Sequence, residues 1–323
     1  MLAASLAAAG CGGDGDAAAG GSGELRIVTT VAPITSLVAA VVSERGSVTG
    51  IVPEGTNSHT FEPPPSVAEA LADADVVFMN GLQLEVPARR LAQANIDGAP
   101  LVLLGEVVLE RSEYVYDFSF PRSEGKPNPH VWTDPTRARE YATVIRDTMV
   151  EVDADGAAVY RRNHDALVER IDALHDAMTE SVETIPPRNR RLLTYHDSFP
   201  YMAETYGLTV VGAIQPRDFG EPTPRELARL IDQVRDEDIP AVFGSEVFPS
   251  SVLEQIGRET GARYVDVLRD DDLPGEPGDA EHSYVGLMRF DFVTIVEALG
   301  GDAGPLEALT VADGTDDRAR YPQ

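Results

Sequence analysis

The amino-acid sequence predicts an α/β protein of two lobes, each a roughly four-stranded parallel sheet with flanking helices, joined by one long rigid helix. Three observations carry this. From residue 25 onward, short β-branched runs alternate with capped amphipathic stretches, the pattern of parallel α/β units. The runs fall into two groups of four. Between the groups, from Asp155 to Ile185, there is no glycine after Gly156 and no proline before Pro186.

In the first half the expected strands are Leu25–Thr30, Val48–Val52, Asp75–Asn80 and Pro100–Leu104. In the second they are Arg191–Tyr195, Leu208–Ile214, Pro240–Gly244 and Ala262–Asp266. Helix starts are marked by Ser66-Val-Ala-Glu69, Thr223-Pro-Arg-Glu226 and Ser251-Val-Leu-Glu254, which fit the capping box, and by Asp134-Pro135, a capping carboxylate before a first-turn proline. Gly207 and Gly261 stand where helix C-caps belong. Tyr160, Leu167, Ile171, Leu174, Met178, Val182 and Ile185 recur at helical spacing. A helix of ~30 residues reaches about 45 Å, which suits a strut and not a flexible linker. The expected division is 1–24 as leader and tether, 25–154 as the N-terminal lobe, 155–185 as the linking helix and 186–323 as the C-terminal lobe.

Composition narrows the function classes. Of 323 residues, 54 are Asp or Glu and 26 Lys or Arg, a formal charge of −28 that repels phosphodiester backbones and anionic headgroups. Nucleic acid is therefore not an expected partner. A hydrophobic share of 43% is ordinary for a folded globular chain, and no apolar run reaches the ~18 residues of a bilayer span. The single cysteine excludes a disulfide framework, a CxxC redox pair and a multi-thiolate metal site. Cys11 follows the small apolar run MLAASLAAAG. Ala8-Ala9-Gly10-Cys11 resembles the bacterial lipobox, with Ala8 in place of the usual larger aliphatic residue. The expectation is a signal-peptide remnant, a lipid anchor on Cys11 and a flexible tether to residue 24; an Ala/Gly-rich leader with an incidental thiol is the alternative.

The common catalytic signatures GxxxxGK[ST], GxSxG and HExxH are missing, and no GxGxxG follows any of the expected strands. Four scattered residues remain. His59 lies in the loop after the second strand, His130 precedes a helix, His196 follows the fifth strand, and Asp266 ends the expected eighth. Ligands of open parallel sheets bind outside the carboxyl ends of strands. Three imidazoles and one carboxylate, two from each lobe, would converge between the lobes and suit zinc, manganese or iron. Spacing alone leaves capping or hydrogen-bonded loop histidines as a competing reading.

The motifs around these residues are more specific. His-Thr-Phe-Glu-Pro63, Asn-Pro-His-Val-Trp-Thr-Asp-Pro135, Tyr195-His-Asp-Ser-Phe-Pro-Tyr201 and the stretch from Ala262 through His282-Ser-Tyr-Val-Gly-Leu-Met-Arg-Phe290 resemble, in order, the zinc/manganese solute-binding proteins of bacterial ABC importers. The resemblance spans residues 25 to 300. It implies His59, His130, His196 and Asp266 as metal ligands, a long helix between the lobes, and no enzymatic activity. It further implies a monomer held outside the cytoplasm by its lipid anchor, which hands zinc or manganese to a cognate ABC permease and its ATPase. Three imidazoles favour zinc over manganese. The His-rich loop frequent in zinc-specific members has no counterpart here, because residues 111–129 contain no histidine.

Other residues carry weaker expectations. Glu246, after the seventh strand, is a candidate to receive a ligand histidine's second N–H. Trp132, Phe61 and Phe199 are expected to pack around the cleft, and Asp197 and Ser198 to cap the next helix. His164 and His175 are expected on the exposed or boundary side of the strut, and Asp270-Asp-Asp272 as solubilising surface. His282 is left out of the site. Because the histidines bind metal only when neutral, affinity is expected to fall as pH drops through about 6.5. A secreted zinc hydrolase with Glu246 as general base, or a metal-stabilised surface adhesin, are the alternative functions.

Overall fold

A computed structural model of the chain describes residues 24–215, 220–245, 251–311 and 319–322. Cys11 and Glu246 lie outside the described residues. The first half runs β1 (Leu25–Thr29), α1 (Ala32–Val42), β2 (Gly46–Gly50), α2 (Ser66–Ala72), β3 (Val76–Met79), α3 (Val86–Asn95), β4 (Leu101–Leu103), α4 (Leu104–Val108) and α5 (Pro135–Val152). α6 (Ala157–Thr184) follows. The second half runs β5 (Arg191–Thr194), α7 (Pro200–Tyr206), β6 (Thr209–Ala213), α8 (Pro224–Asp236), β7 (Ala241–Ser245), α9 (Ser251–Thr260), β8 (Arg263–Leu268), α10 (Tyr284–Ala298) and α11 (Gly304–Glu307).

Each half builds a four-stranded sheet in the same order, β2-β1-β3-β4 and β6-β5-β7-β8, and every pairing is parallel. The central strands explain the sequence pattern: β3 and β7 are buried at every position, so they read as continuous apolar runs rather than alternating ones. In each sheet the chain steps to one side of its first strand and then returns to the other, which opens a crevice at the carboxyl ends.

α6 has 28 residues, a length of about 42 Å at 1.5 Å per residue. Its apolar stripe packs against α1 and α5 of the first half and against α7, α10 and α11 of the second. One continuous apolar cluster consequently runs from Val76 and Phe78 in the first sheet, through Leu167, Ile171 and Leu174 of α6, to Leu192, Phe243 and Phe292 in the second half. A smaller cluster, including Leu193, Ile231 and Ile256, lies under α8 and α9. A shared core resists wide hinge opening. His164 departs from its expected exposure: it is buried between α5 and α6 and bonds to Thr143 and Asp165.

The caps are partly as expected. Thr223 and Glu226 form a reciprocal capping box, Asp134 accepts from the Thr136 N–H, and Gly207 closes α7 at φ 67°. Ser66 instead begins α2, with Pro65 at the cap position, so its hydroxyl caps nothing. Asp197 and Ser198 do not cap α7, whose cap residue is Phe199; Asp197 accepts the Ser119 N–H instead. Near the end of the chain Arg320 pairs with Thr49 on the β2 edge, so residues 319–322 lie on the first sheet.

Candidate metal centre

Three histidines meet at the carboxyl ends of the two sheets. His59 is held in the loop after β2 by its own N–H, which donates to Asn57 Oδ1 at 3.0 Å. His130 follows Pro129, whose carbonyl accepts from Asn80 Nδ2 at 2.9 Å; the Tyr141 hydroxyl in turn fixes Asn80. His196 lies two residues beyond β5. The Nε2 atoms of His59 and His130 are 3.2 Å apart, those of His59 and His196 3.1 Å, and those of His130 and His196 3.1 Å.

The opposite ring nitrogens decide what this triangle is. His130 Nδ1 lies 2.8 Å from Asn128 Oδ1, and His196 Nδ1 lies 2.7 Å from Gln215 Oε1. The backbone N–H of His130 also donates to Asn128 Oδ1, which identifies that atom as the oxygen of the amide. An amide oxygen only accepts, so each Nδ1 carries the proton and each Nε2 turns a lone pair inward. Burial, followed by repulsion between the rings, pushes His59 and His130 well below the usual imidazole range, and burial lowers His196 as well. The inward lone pairs of His130 and His196, with His59 Nε2 beside them, form a cluster whose mutual repulsion a cation lying among them would relieve. An ion about 2.0–2.1 Å from each nitrogen, the zinc–imidazole distance, would sit about 1 Å out of their plane, leaving a further side for another ligand.

Aromatic rings close the surroundings. Phe120 packs 5.6 Å from His59 and 5.8 Å from His130 between ring centroids, and buried Trp132 lies 5.2 Å from His130. Trp132 Nε1 donates to the carbonyl of Asp270, tying this wall to the segment after β8.

The structure does not bring Asp266 to the histidines. β8 runs on to Leu268, so Asp266 lies inside the strand, is exposed, and faces the Tyr264 hydroxyl. A register shift between β7 and β8 accompanies the longer strand. The carboxyl groups that follow the true strand end are Asp270, Asp271 and Asp272, and they are not solubilising surface: Asp270 and Asp272 are buried, and Asp271 Oδ1 is enclosed without a hydrogen-bond partner. Burial pushes Asp271 up to about 7, while the nearby Ser58 hydroxyl and the His196 ring pull it down. Asp270 is likewise pushed up to about 7 by burial. Asp272 accepts the Gly55 N–H and Glu54 accepts the Leu273 N–H, two reciprocal bonds that tie the His59 loop to the segment after β8. Asn128, Gln215 and Asp271 are thus the residues that sequence reasoning missed. Only Asn128 had a visible signal, as the first residue of the Asn-Pro-His motif.

Residues 27–298 match the family model for ZnuA, the periplasmic component A of a zinc-uptake complex. The chain belongs to this family. It is 32% identical over 302 residues to the manganese-binding lipoprotein MntA of Halalkalibacterium halodurans, covering 93% of this chain and 96% of that one. It is 30% identical over 278 residues to the iron-binding protein YfeA of Yersinia pestis, covering 86% and 87%. In fold it is similar to the periplasmic zinc-binding protein TroA from Treponema pallidum, with a TM-score of 0.78 at 22% identity, covering 86% of this chain and 99% of that one. The family comprises metal-binding components of ABC importers and not enzymes. No helix among the described residues is long and apolar enough to cross a membrane.

Proposed function

We propose that this chain captures one divalent transition-metal ion outside the cytoplasm, through His59, His130, His196 and Asp271, and delivers it to a cognate ABC permease driven by its ATPase. The convergence of three Nε2 atoms within 3.2 Å of one another carries this reading. Asp271 is taken as the fourth ligand in place of Asp266 because its carboxyl is close enough to feel the His196 ring and because its Oδ1 is enclosed without a geometric hydrogen bond. Zinc is the favoured cargo, since three imidazoles suit it better than manganese. Three neutral imidazoles and one carboxylate leave a single net positive charge with the ion bound.

On this reading one chain supplies the whole ligand set, so a monomer suffices, and a lipid on Cys11 keeps it at the membrane. Glu246 is proposed to lie beside the cleft and support the ligands through hydrogen bonding. Elemental analysis of natively purified protein tests the metal reading: near-stoichiometric zinc is expected, manganese in its place would overturn the zinc assignment, and no metal would overturn the whole. Cys11→Ala is expected to move the protein from the membrane to the soluble fraction.

A further inference from the structure

Asn128 lies between the two halves of the metal centre and uses all of its polar capacity there. It is fully buried, one residue before Pro129 and two before His130. Its Oδ1 accepts from the His130 backbone N–H at 3.0 Å and from His130 Nδ1 at 2.8 Å. Its Nδ2 donates to Asp117 Oδ2 at 3.0 Å and to the carbonyl of Asp197 at 2.6 Å. Asp197 directly follows His196. One side chain therefore fixes the ring of a ligand from the first half and grips the backbone beside a ligand from the second.

We infer that Asn128 is a positioning residue with two separable tasks: its oxygen aims His130 Nε2 at the ion, and its amino group holds the His130 and His196 arms together so that the bound ion is retained. The inference rests on the metal-capture reading above. An amide performs both tasks where a carboxylate performs only the first, because a carboxylate has no proton to give to the Asp197 carbonyl. Outer-shell partners of metal-bound histidines commonly account for 10–100-fold in affinity.

The test compares Asn128→Ala and Asn128→Asp with the wild type, each stripped of metal and checked for unchanged circular dichroism. Three readouts are needed: Zn²⁺ affinity by competition with a chromophoric chelator, the Zn²⁺ release rate into excess chelator, and the visible ligand-field spectrum with Co²⁺. Asn128→Ala is expected to bind Zn²⁺ about 10–100-fold more weakly and to change the Co²⁺ spectrum, since the His130 ring is then free to turn. Asn128→Asp is expected to restore the wild-type Co²⁺ spectrum but to release Zn²⁺ about tenfold faster, the lower end of that range. Affinity within twofold of wild type together with an unchanged spectrum for Asn128→Ala overturns the aiming role. If that variant does not fold, a wild-type release rate for Asn128→Asp overturns the retaining role on its own. A wild type that binds neither ion would bring down the metal-capture reading itself, an outcome distinct from variants that match a metal-binding wild type.

Discussion

Replacing Asp271 by Asn, and separately Asp266 by Asn, distinguishes the carboxylate proposed as the fourth ligand, which is close enough to feel the His196 ring, from the one the sequence favours. Asp271 is pushed from 3.8 up to about 7 by burial. At about 1.36 kcal/mol per pKa unit, holding it ionised in a metal-free cleft costs on the order of 4 kcal/mol, a cost that a bound cation offsets. Asn keeps the shape and removes the charge, so on the proposed ligand set the ion would lose its one anionic donor. Loss of an outer partner already costs 10–100-fold; loss of a direct donor is expected to weaken Zn²⁺ binding at least 100-fold at pH 7.5, about 2.7 kcal/mol. Asp266 is exposed on β8, where its charge is screened by solvent and salt, and its substitution is expected to change affinity less than twofold. Competition titration with a calibrated chelator, run on both variants in the same buffer, reads the difference. A larger loss from Asp266→Asn than from Asp271→Asn would refute the assignment.

Zn²⁺ affinity is expected to begin falling below pH 7 by up to tenfold per unit, because the first competing proton belongs to Asp271 at about 7. The imidazoles, pushed below 6.5, steepen the fall only at lower pH; an affinity flat from pH 5 to 7.5 would contradict both. The metal-free protein is expected to lose thermal stability between pH 6.5 and 8: folded Glu85, Asp270 and Asp271, at about 7, and Asp117, at about 9, still hold protons that unfolded carboxyls have released. At these carboxyls the folded state then binds more protons, so stability falls as pH rises, by at most about 1.4 kcal/mol per unit per group, while the three depressed histidines, still partly protonated in the unfolded chain just above 6.5, oppose this by a smaller amount that fades by about pH 7.5; melting curves at pH 6.5 and 8 check the sign. Ile171→Ala, in the buried stripe of α6, is expected to cost about 2–5 kcal/mol in urea unfolding. Thr223→Ala removes a capping box on α8 and is expected to cost about 1 kcal/mol in the same assay.

All eight strands were legible, with ends displaced by two residues at most, because buried β-branched runs bounded by turns leave few alternatives. That small displacement was still decisive for the site. Ending β8 at Asp266 rather than Leu268 put a carboxylate at the strand end that the structure instead keeps within the strand, away from the histidines, and the acidic run after the strand then read as surface. Hydropathy cannot show that Asp270 and Asp272 are buried, since Asp272 is met by the His59 loop and Asp270 by Trp132, Ser198 and Ser245, all far away in sequence. His164 was misplaced for a related reason: a polar residue on the rim of the α6 stripe becomes buried only once α5 packs beside it. The convergence of His59, His130 and His196 was readable through their motifs. Gln215 was not, because its role depends on β6 lying next to β5 in the sheet.

The arrangement bears on release as much as on capture. Both halves share one apolar core along α6, so handing over the ion by swinging the lobes apart would expose that core. Smaller changes suffice. The cleft is crossed by directional bonds: Asn128 to Asp197, Ser119 to Asp197 and Gln215, and the two reciprocal bonds between the His59 loop and the segment after β8. Each bond is worth only about 0.5–1.5 kcal/mol net, so a docked permease that breaks two or three of them would shift the Nε2 triangle without unpacking the core. A displacement of a few tenths of an ångström would spoil the shared grip of the three nitrogens on an ion, and the depressed pKa values would keep the rings from drawing a proton in its place. Release by this route depends on contact with the partner and not on acidification alone, which explains why the groups that span the cleft are mostly amides, hydroxyls and backbone atoms and not exposed ion pairs.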